Sequence, residues 1–185
     1  MRQKWSRNRV KGDYNRRQAA TDCIKPKVKK MKIFIMRHGE AQHYAASDAE
    51  RALTDRGRNE SVAVARAGVI QKNITHIDKV FVSPYLRAQQ TWQEISQHFS
   101  ADMVEVCEEI TPYGQSEDVF DFVAACIEAE HLESVLLVSH LPLVGYLVSE
   151  FVPGMVAPMF PTSGLVCVEY DVAARKGELV WNIHP

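Results

Sequence analysis

No stretch of this 185-residue chain approaches the run of about eighteen consecutive apolar residues that a membrane-spanning helix needs. The first thirty residues are basic and polar, and they lack the apolar segment that must follow the charged start of a secretory signal. The four cysteines, Cys23, Cys107, Cys126 and Cys167, are scattered with no CxxC spacing, which removes the familiar zinc and redox patterns. The last three sit in apolar segments, where a cysteine acts as a small core hydrophobe. Without a signal or a disulfide framework, the expected compartment is reducing and cytoplasmic. The length suits one domain with a substantial core.

A net charge of -1 conceals a split. Residues 1–30 hold eleven Lys/Arg against two Asp/Glu, whereas the remainder holds eleven against twenty-one. Such asymmetry marks a tail attached to a domain. The tail shows neither helical nor strand periodicity, and Lys25-Pro26-Lys27-Val28-Lys29-Lys30 reads as an extended basic linker. We therefore expect a disordered basic extension over residues 1–30 and a folded domain over 31–185, with Met31 a candidate initiator directly before a core strand. A nucleic-acid role for the tail is disfavoured, because its pattern builds no packed basic surface.

Lys32-Ile33-Phe34-Ile35-Met36 suits a buried strand. Thr54 is placed to cap a helix whose apolar positions would be Val62, Ala65, Val69 and Ile70. A second strand, Lys79-Val80-Phe81-Val82-Ser83, stops at Pro84, and a helix over 86–99 follows. A short extended run over 103–106 precedes a helix over 117–129 with Phe120, Val123, Ala124 and Ile127 as its stripe. Ser134-Val135-Leu136-Leu137-Val138-Ser139 is the strongest central-strand signal. A helix over 143–151 comes next, then strands over 165–170 and 178–183 joined by a turn around Lys176-Gly177. This alternation predicts an α/β fold: a three-layer α/β/α sandwich with a mostly parallel central sheet and an antiparallel C-terminal portion. Ligands bind such sheets beyond the carboxyl ends of the strands. Three of those ends carry Arg37-His38, Ser83 to Arg87, and Ser139-His140.

An arginine at a buried strand end is costly to desolvate unless an anion meets it. A phosphate matches the donor fork of a guanidinium. Two histidines and two arginines at converging strand ends therefore suit in-line phosphoryl transfer, one imidazole attacking while the other groups neutralise the equatorial oxygens. Metal ligation fits less well, since the arginines repel a cation and no third ligand lies at a familiar spacing. The plainer alternative is a loop histidine with a structural hydrogen bond.

Met36-Arg37-His38-Gly39-Glu40, Ser83-Pro84-Tyr85-Leu86-Arg87-Ala88-Gln89-Gln90-Thr91 and Ser139-His140 together resemble the three motifs of the histidine phosphatase, or phosphoglycerate mutase-like, superfamily. More narrowly, Ser47-Asp48-Ala49-Glu50-Arg51-Ala52-Leu53-Thr54, Ile110-Thr111-Pro112-Tyr113-Gly114 and Ser139-His140-Leu141-Pro142-Leu143-Val144-Gly145-Tyr146 resemble its bacterial phosphohistidine phosphatases of the SixA type. The resemblance implies that His38 is the covalent nucleophile and that Arg37, Arg87 and His140 form the phosphate pocket. Gly39, Arg51 and Leu141 become substrate contacts, with an exposed loop arginine as the plain reading of Arg51. Gly39 O is expected to accept from Nδ1 of His38 and leave Nε2 free to attack.

Relatives that act on phosphate esters carry a carboxylic acid after the second arginine. Here that region reads Cys107-Glu108-Glu109-Ile110-Thr111-Pro112, with Pro112 nearest the expected position. Glu108 and Glu109 remain as weak candidate acids, their plain reading being surface carboxylates. A phosphohistidine tolerates the gap, because its P–N bond is labile and a protonated imidazole leaves as a neutral molecule. Short loops over 39–53 and 110–117 leave no obvious lid for a small metabolite. The expectation is thus a protein histidine phosphatase, without metal or organic cofactor, acting on the phosphotransfer domain of a sensor kinase. Its rivals are a broad small-molecule phosphomonoesterase and a non-catalytic phosphoprotein-binding module.

Overall fold

The computed structural model describes residues 30–185, so the basic tail expected over 1–30 lies outside the described residues except for Lys30. Lys30 opens β1 (Lys30–Arg37), whose apolar residues face alternately to the two sides of a sheet. Met31, Ile33 and Ile35 enter one core, and Phe34 and Met36 enter the other. β2 (His76–Val82), β3 (Ser100–Val106) and β4 (Ser134–Ser139) run parallel to β1, and β5 (Leu165–Asp171) and β6 (Lys176–Ile183) complete the sheet. The strand order is β3-β2-β4-β1-β5-β6, with β5 antiparallel to both β1 and β6.

Helices α1 (Asp55–Lys72) and α2 (Leu86–Ile95) cover one face, and α3 (Ser116–Glu130) and α4 (Leu143–Phe151) cover the other. The result is the three-layer sandwich anticipated from the alternation, with the antiparallel pair at one edge. Among the described residues no helix is long and apolar enough to cross a membrane. Cys107 and Cys167 are buried free thiols and Cys126 is half-buried and free. Burial is the first cause pushing Cys107 and Cys167 up to about 12, which leaves both as unreactive core groups.

Three local expectations are corrected. The buried face of α1 consists of Gly57, Ser61, Val64, Ala65 and Gly68, whereas Ile70 is 82% exposed. Small residues prevail there because the helix start lies almost on the loop after β1. A methyl group on Gly57 would collide with the Glu40 carbonyl and sit 2.6 Å from its nitrogen. α2 ends at Ile95 instead of continuing to Phe99. Lys176-Gly177 belongs to β6, and the reversal occurs over 172–175, with Arg175 in the left-handed region at φ 49°. Gly177 is needed because a Cβ there would lie 2.5 Å from Val168 Cγ1. Thr54 caps α1 as expected, accepting from Gly57 N at 3.0 Å.

Candidate active site

Parallel pairing puts the carboxyl ends of β1, β2 and β4 side by side. His38 N donates to Ser139 O at 2.9 Å, and Ser83 N donates to Val138 O at 3.1 Å. His38, Arg87 and His140 are consequently buried together, and Arg37 is half-buried beside them.

The protonation of His38 follows from its partners. Nδ1 lies 2.7 Å from Gly39 O, and a carbonyl only accepts, so Nδ1 carries the proton. Nε2 then holds a lone pair, and Arg87 Nε donates to it at 3.2 Å. The backbone beneath the ring is fixed from three directions. Gly39 N donates to Thr91 Oγ1 at 3.0 Å, and that hydroxyl donates to Arg87 O at 2.7 Å. Ser163 N donates to His38 O at 3.0 Å from a left-handed backbone (φ 61°), with its hydroxyl 2.9 Å from that of Ser61. Gly39 itself has no room for a side chain, since a Cβ would lie 2.6 Å from Gly57 O.

His140 Nε2 sits 2.7 Å from Ser83 Oγ, and its ring centroid lies 4.9 Å from that of His38. Tyr85 packs edge-on to His140 at 5.0 Å and beneath the Arg87 guanidinium at 4.8 Å. Arg37 Nη1 donates to Phe160 O at 2.7 Å. Arg37 Nε and His140 Nδ1 are buried without a protein partner. Arg87 directs two further donors at Asp48, to the carbonyl at 2.5 Å and to Oδ2 at 3.0 Å, and keeps two more N–H groups. Arg51 binds the other carboxylate oxygen at 3.0 Å and Gln42 O at 2.6 Å. Burial alone would raise the pKa of the Asp48 carboxyl, but hydrogen bonds from Arg51 and Arg87 hold it below its usual range.

The four motif side chains thus converge, and Arg51 joins them through Asp48. Leu141 instead packs against the core shared by α3 and α4. Glu108 and Glu109 lie exposed on a short 3₁₀ turn, where Glu109 accepts from Cys107 Sγ at 3.2 Å. Among the described residues neither carboxylate bonds to the histidines or arginines of the pocket. Sequence reasoning did not assign roles to Asp48, Ser83, Thr91 or Ser163. The Asp48–Arg51 spacing is a visible i,i+3 pair, and Ser83 is a polar residue at a strand end. Thr91 closes the second motif, and Ser163 left no local signal.

Burial above all, then the charges of Arg87, Arg37 and Arg51, lowers His38 to about 3, although its bond to Gly39 opposes the shift. Burial, followed by His38, Arg87 and Arg37, lowers His140 to about 2. Both rings therefore stay neutral in the folded protein while an unfolded chain protonates near 6.5. Between these values the unfolded state holds more protons, so stability falls as pH falls, at about 1.4 kcal/mol per pH unit for each histidine. Urea denaturation from pH 7 to pH 5 is expected to show a loss of ~4 kcal/mol from the pair. His140→Asn should remove about half of that slope.

Far from this pocket, at the amino ends of β2 and β3, His76, Asp78 and Asp102 form a surface cluster with His76 Nε2 3.1 Å from Asp102 Oδ2.

Comparison with known proteins bears on the same residues. Residues 33–111 match the histidine phosphatase superfamily (branch 1). The phosphohistidine phosphatase SixA of Escherichia coli strain K12 is 43% identical over 156 residues, covering 84% of this chain and 94% of the relative. The chain belongs to the histidine phosphatase superfamily. A SixA homolog from Haemophilus influenzae is 41% identical over 65% of the chain and 76% of its own length. The solved structure of the protein histidine phosphatase SixA complexed with tungstate superimposes with a TM-score of 0.78 over 84% of this chain and 97% of that one, at 43% identity. At this similarity to phosphohistidine phosphatases the chain is an enzyme of the histidine phosphatase family.

Proposed function

We propose that the chain is a phosphohistidine phosphatase in which His38 takes the phosphoryl group from a protein phosphohistidine. The observation that carries this reading is the state of His38: Nδ1 bound to Gly39 O at 2.7 Å and Nε2 turned into a cluster of arginines. Nε2 attacks phosphorus, the P–N bond of the substrate breaks, and the departing imidazole leaves neutral with its proton. Water then attacks phospho-His38 and releases inorganic phosphate. Arg37 and Arg87 neutralise the equatorial oxygens. With the Ser83 hydroxyl donating its hydrogen bond to His140 Nε2, the single proton of the neutral ring lies on Nδ1, free to donate to a phosphoryl oxygen. Arg37 Nε and His140 Nδ1, both buried without a protein partner, are two donors that a tetrahedral oxyanion would satisfy. The tungstate bound by the related SixA is an anion of that shape.

The leaving group distinguishes the rival activities. An alkoxide needs a proton as it departs, help worth roughly 10²–10⁴-fold, and neither Glu108 nor Glu109 bonds to the pocket residues. We therefore favour phosphohistidine over a sugar phosphate, and a phosphotransfer domain of a sensor kinase as its carrier. A reducing cytoplasmic setting accords with three free cysteines among the described residues. We assign the folded domain to the chain from Lys30, the first residue of β1, to Pro185. Purified enzyme given phosphorylated phosphotransfer domain is expected to remove phosphate at least about 10²-fold faster than it hydrolyses alkyl phosphate monoesters. Rapid sugar phosphate turnover with the phosphoprotein left intact would favour the phosphomonoesterase instead.

A further inference from the structure

The rim of the pocket has two unlike sides. Along one, residues 42–51 are polar and mostly exposed, with Asp48 and Arg51 paired over Arg87. Along the other lies an open groove of about 550 Å³ lined by Pro112, Tyr113, Gly114, Gln115, Ser116, Pro142 and Tyr146. Tyr113 is 77% exposed and Tyr146 53%. The apolar surface continues onto the segment before Phe160, where Val156 and Met159 are 87% and 83% exposed. That segment is tied to the groove because a Cβ on Gly145, next to Tyr146, would meet Pro158 O at 2.8 Å and Ala157 Cβ at 3.8 Å.

Both ends of this arc are anchored to the catalytic pocket. Pro142 follows His140 by two residues, and Met159 precedes Phe160, whose carbonyl holds Arg37. Neither Tyr113 nor Tyr146 makes a side-chain hydrogen bond among the described residues. Large side chains left in water at the mouth of a site, grouped and rimmed by polar residues, mark an interaction surface. Tyrosine and methionine are also enriched in the parts of interfaces that contribute most to binding.

The occupant follows from reach. His38 and His140 are almost fully buried, at 8% and 1% exposure. A phosphohistidine extends only one side-chain length from its own backbone, so to reach Nε2 of His38 its carrier must descend onto the rim. A free small phosphate has no backbone to bring down and does not touch the arc. We propose that the arc formed by Tyr113, Pro142, Tyr146, Val156 and Met159 is the docking surface for the protein that carries the phosphohistidine, receiving apolar side chains that flank it. This rests on the phosphohistidine reading of the pocket, and it assigns the choice of protein over small molecule to residues outside the catalytic set.

The test uses the full chain carrying Tyr113→Ala together with Tyr146→Ala, and separately Met159→Lys, after thermal melts establish that each variant folds. Turnover is measured on a phosphorylated phosphotransfer protein and on phosphoramidate. KM for the phosphoprotein is expected to rise about tenfold or more in each variant. kcat/KM for phosphoramidate should stay within about twofold of the wild type, since no catalytic contact is lost. An unchanged phosphoprotein KM, or equal losses on both substrates, would overturn the docking surface while leaving the functional reading intact. Sedimentation showing a wild-type dimer that the variants abolish would assign the arc to a second copy of the chain and overturn it too. A wild type that acts on phosphoramidate but not on any phosphoprotein would remove the functional reading and the docking surface together.

Discussion

His38→Ala is expected to abolish turnover of both phosphoprotein and phosphoramidate, by roughly 10³-fold or more, because the Nε2 lone pair that attacks phosphorus disappears. The diagnostic result is covalent. Wild-type enzyme quenched during turnover should carry an acid-labile, base-stable phosphate, as a phosphoramidate linkage does, and His38→Ala should carry none. The substitution also removes the bond from Nδ1 to Gly39 O and leaves Arg87 Nε without its acceptor. A melt is therefore needed beside the assay. Retained labelling in a folded His38→Ala variant would move the nucleophile elsewhere, with His140 the next nitrogen to test.

Arg87→Gln comes second in expected size. Arg87 lies in the first turn of α2, and its guanidinium reaches His38 Nε2, the Asp48 carbonyl and the Asp48 carboxylate at once. It supplies charge where the transferring group gathers it, in a buried setting that magnifies the interaction. Loss of such a donor lowers kcat by roughly 10²–10³-fold, and the same factor is expected on phosphoprotein and phosphoramidate. Arg87→Lys should restore little, because a point charge cannot reproduce the planar fork or the stacking on Tyr85. Near-wild-type kcat in folded Arg87→Gln would show that Arg37 alone carries the charge.

Much of the architecture was legible because its signals are local. β4 and α4 begin and end where the apolar run Ser134–Ser139 and the residues after Pro142 place them, and Thr54 caps α1 by its own hydroxyl. The face of α1 was misread for a reason periodicity cannot express. Close approach to the loop after β1 places Gly57 and Ser61 on the buried face beside Val64 and Ala65, while the apolar Ile70 is left in water. The pocket divides in the same manner. His38, Arg87 and His140 stand in motifs at strand ends, and their convergence could be anticipated from the topology. Their supports could not, since Ser163 and the Phe160 carbonyl arrive from a distant segment, and Thr91, though in the motif of Arg87, accepts from Gly39 only once the chain has folded.

The Asp48 carboxylate already occupies donors on Arg87 and Arg51 that a phosphoryl group would otherwise claim. Being covalently attached, it competes at a high effective concentration that does not depend on what is dissolved around the enzyme. A phosphoryl group, whether arriving on a substrate or leaving as inorganic phosphate, thus displaces a tethered rival or shares the guanidinium with it.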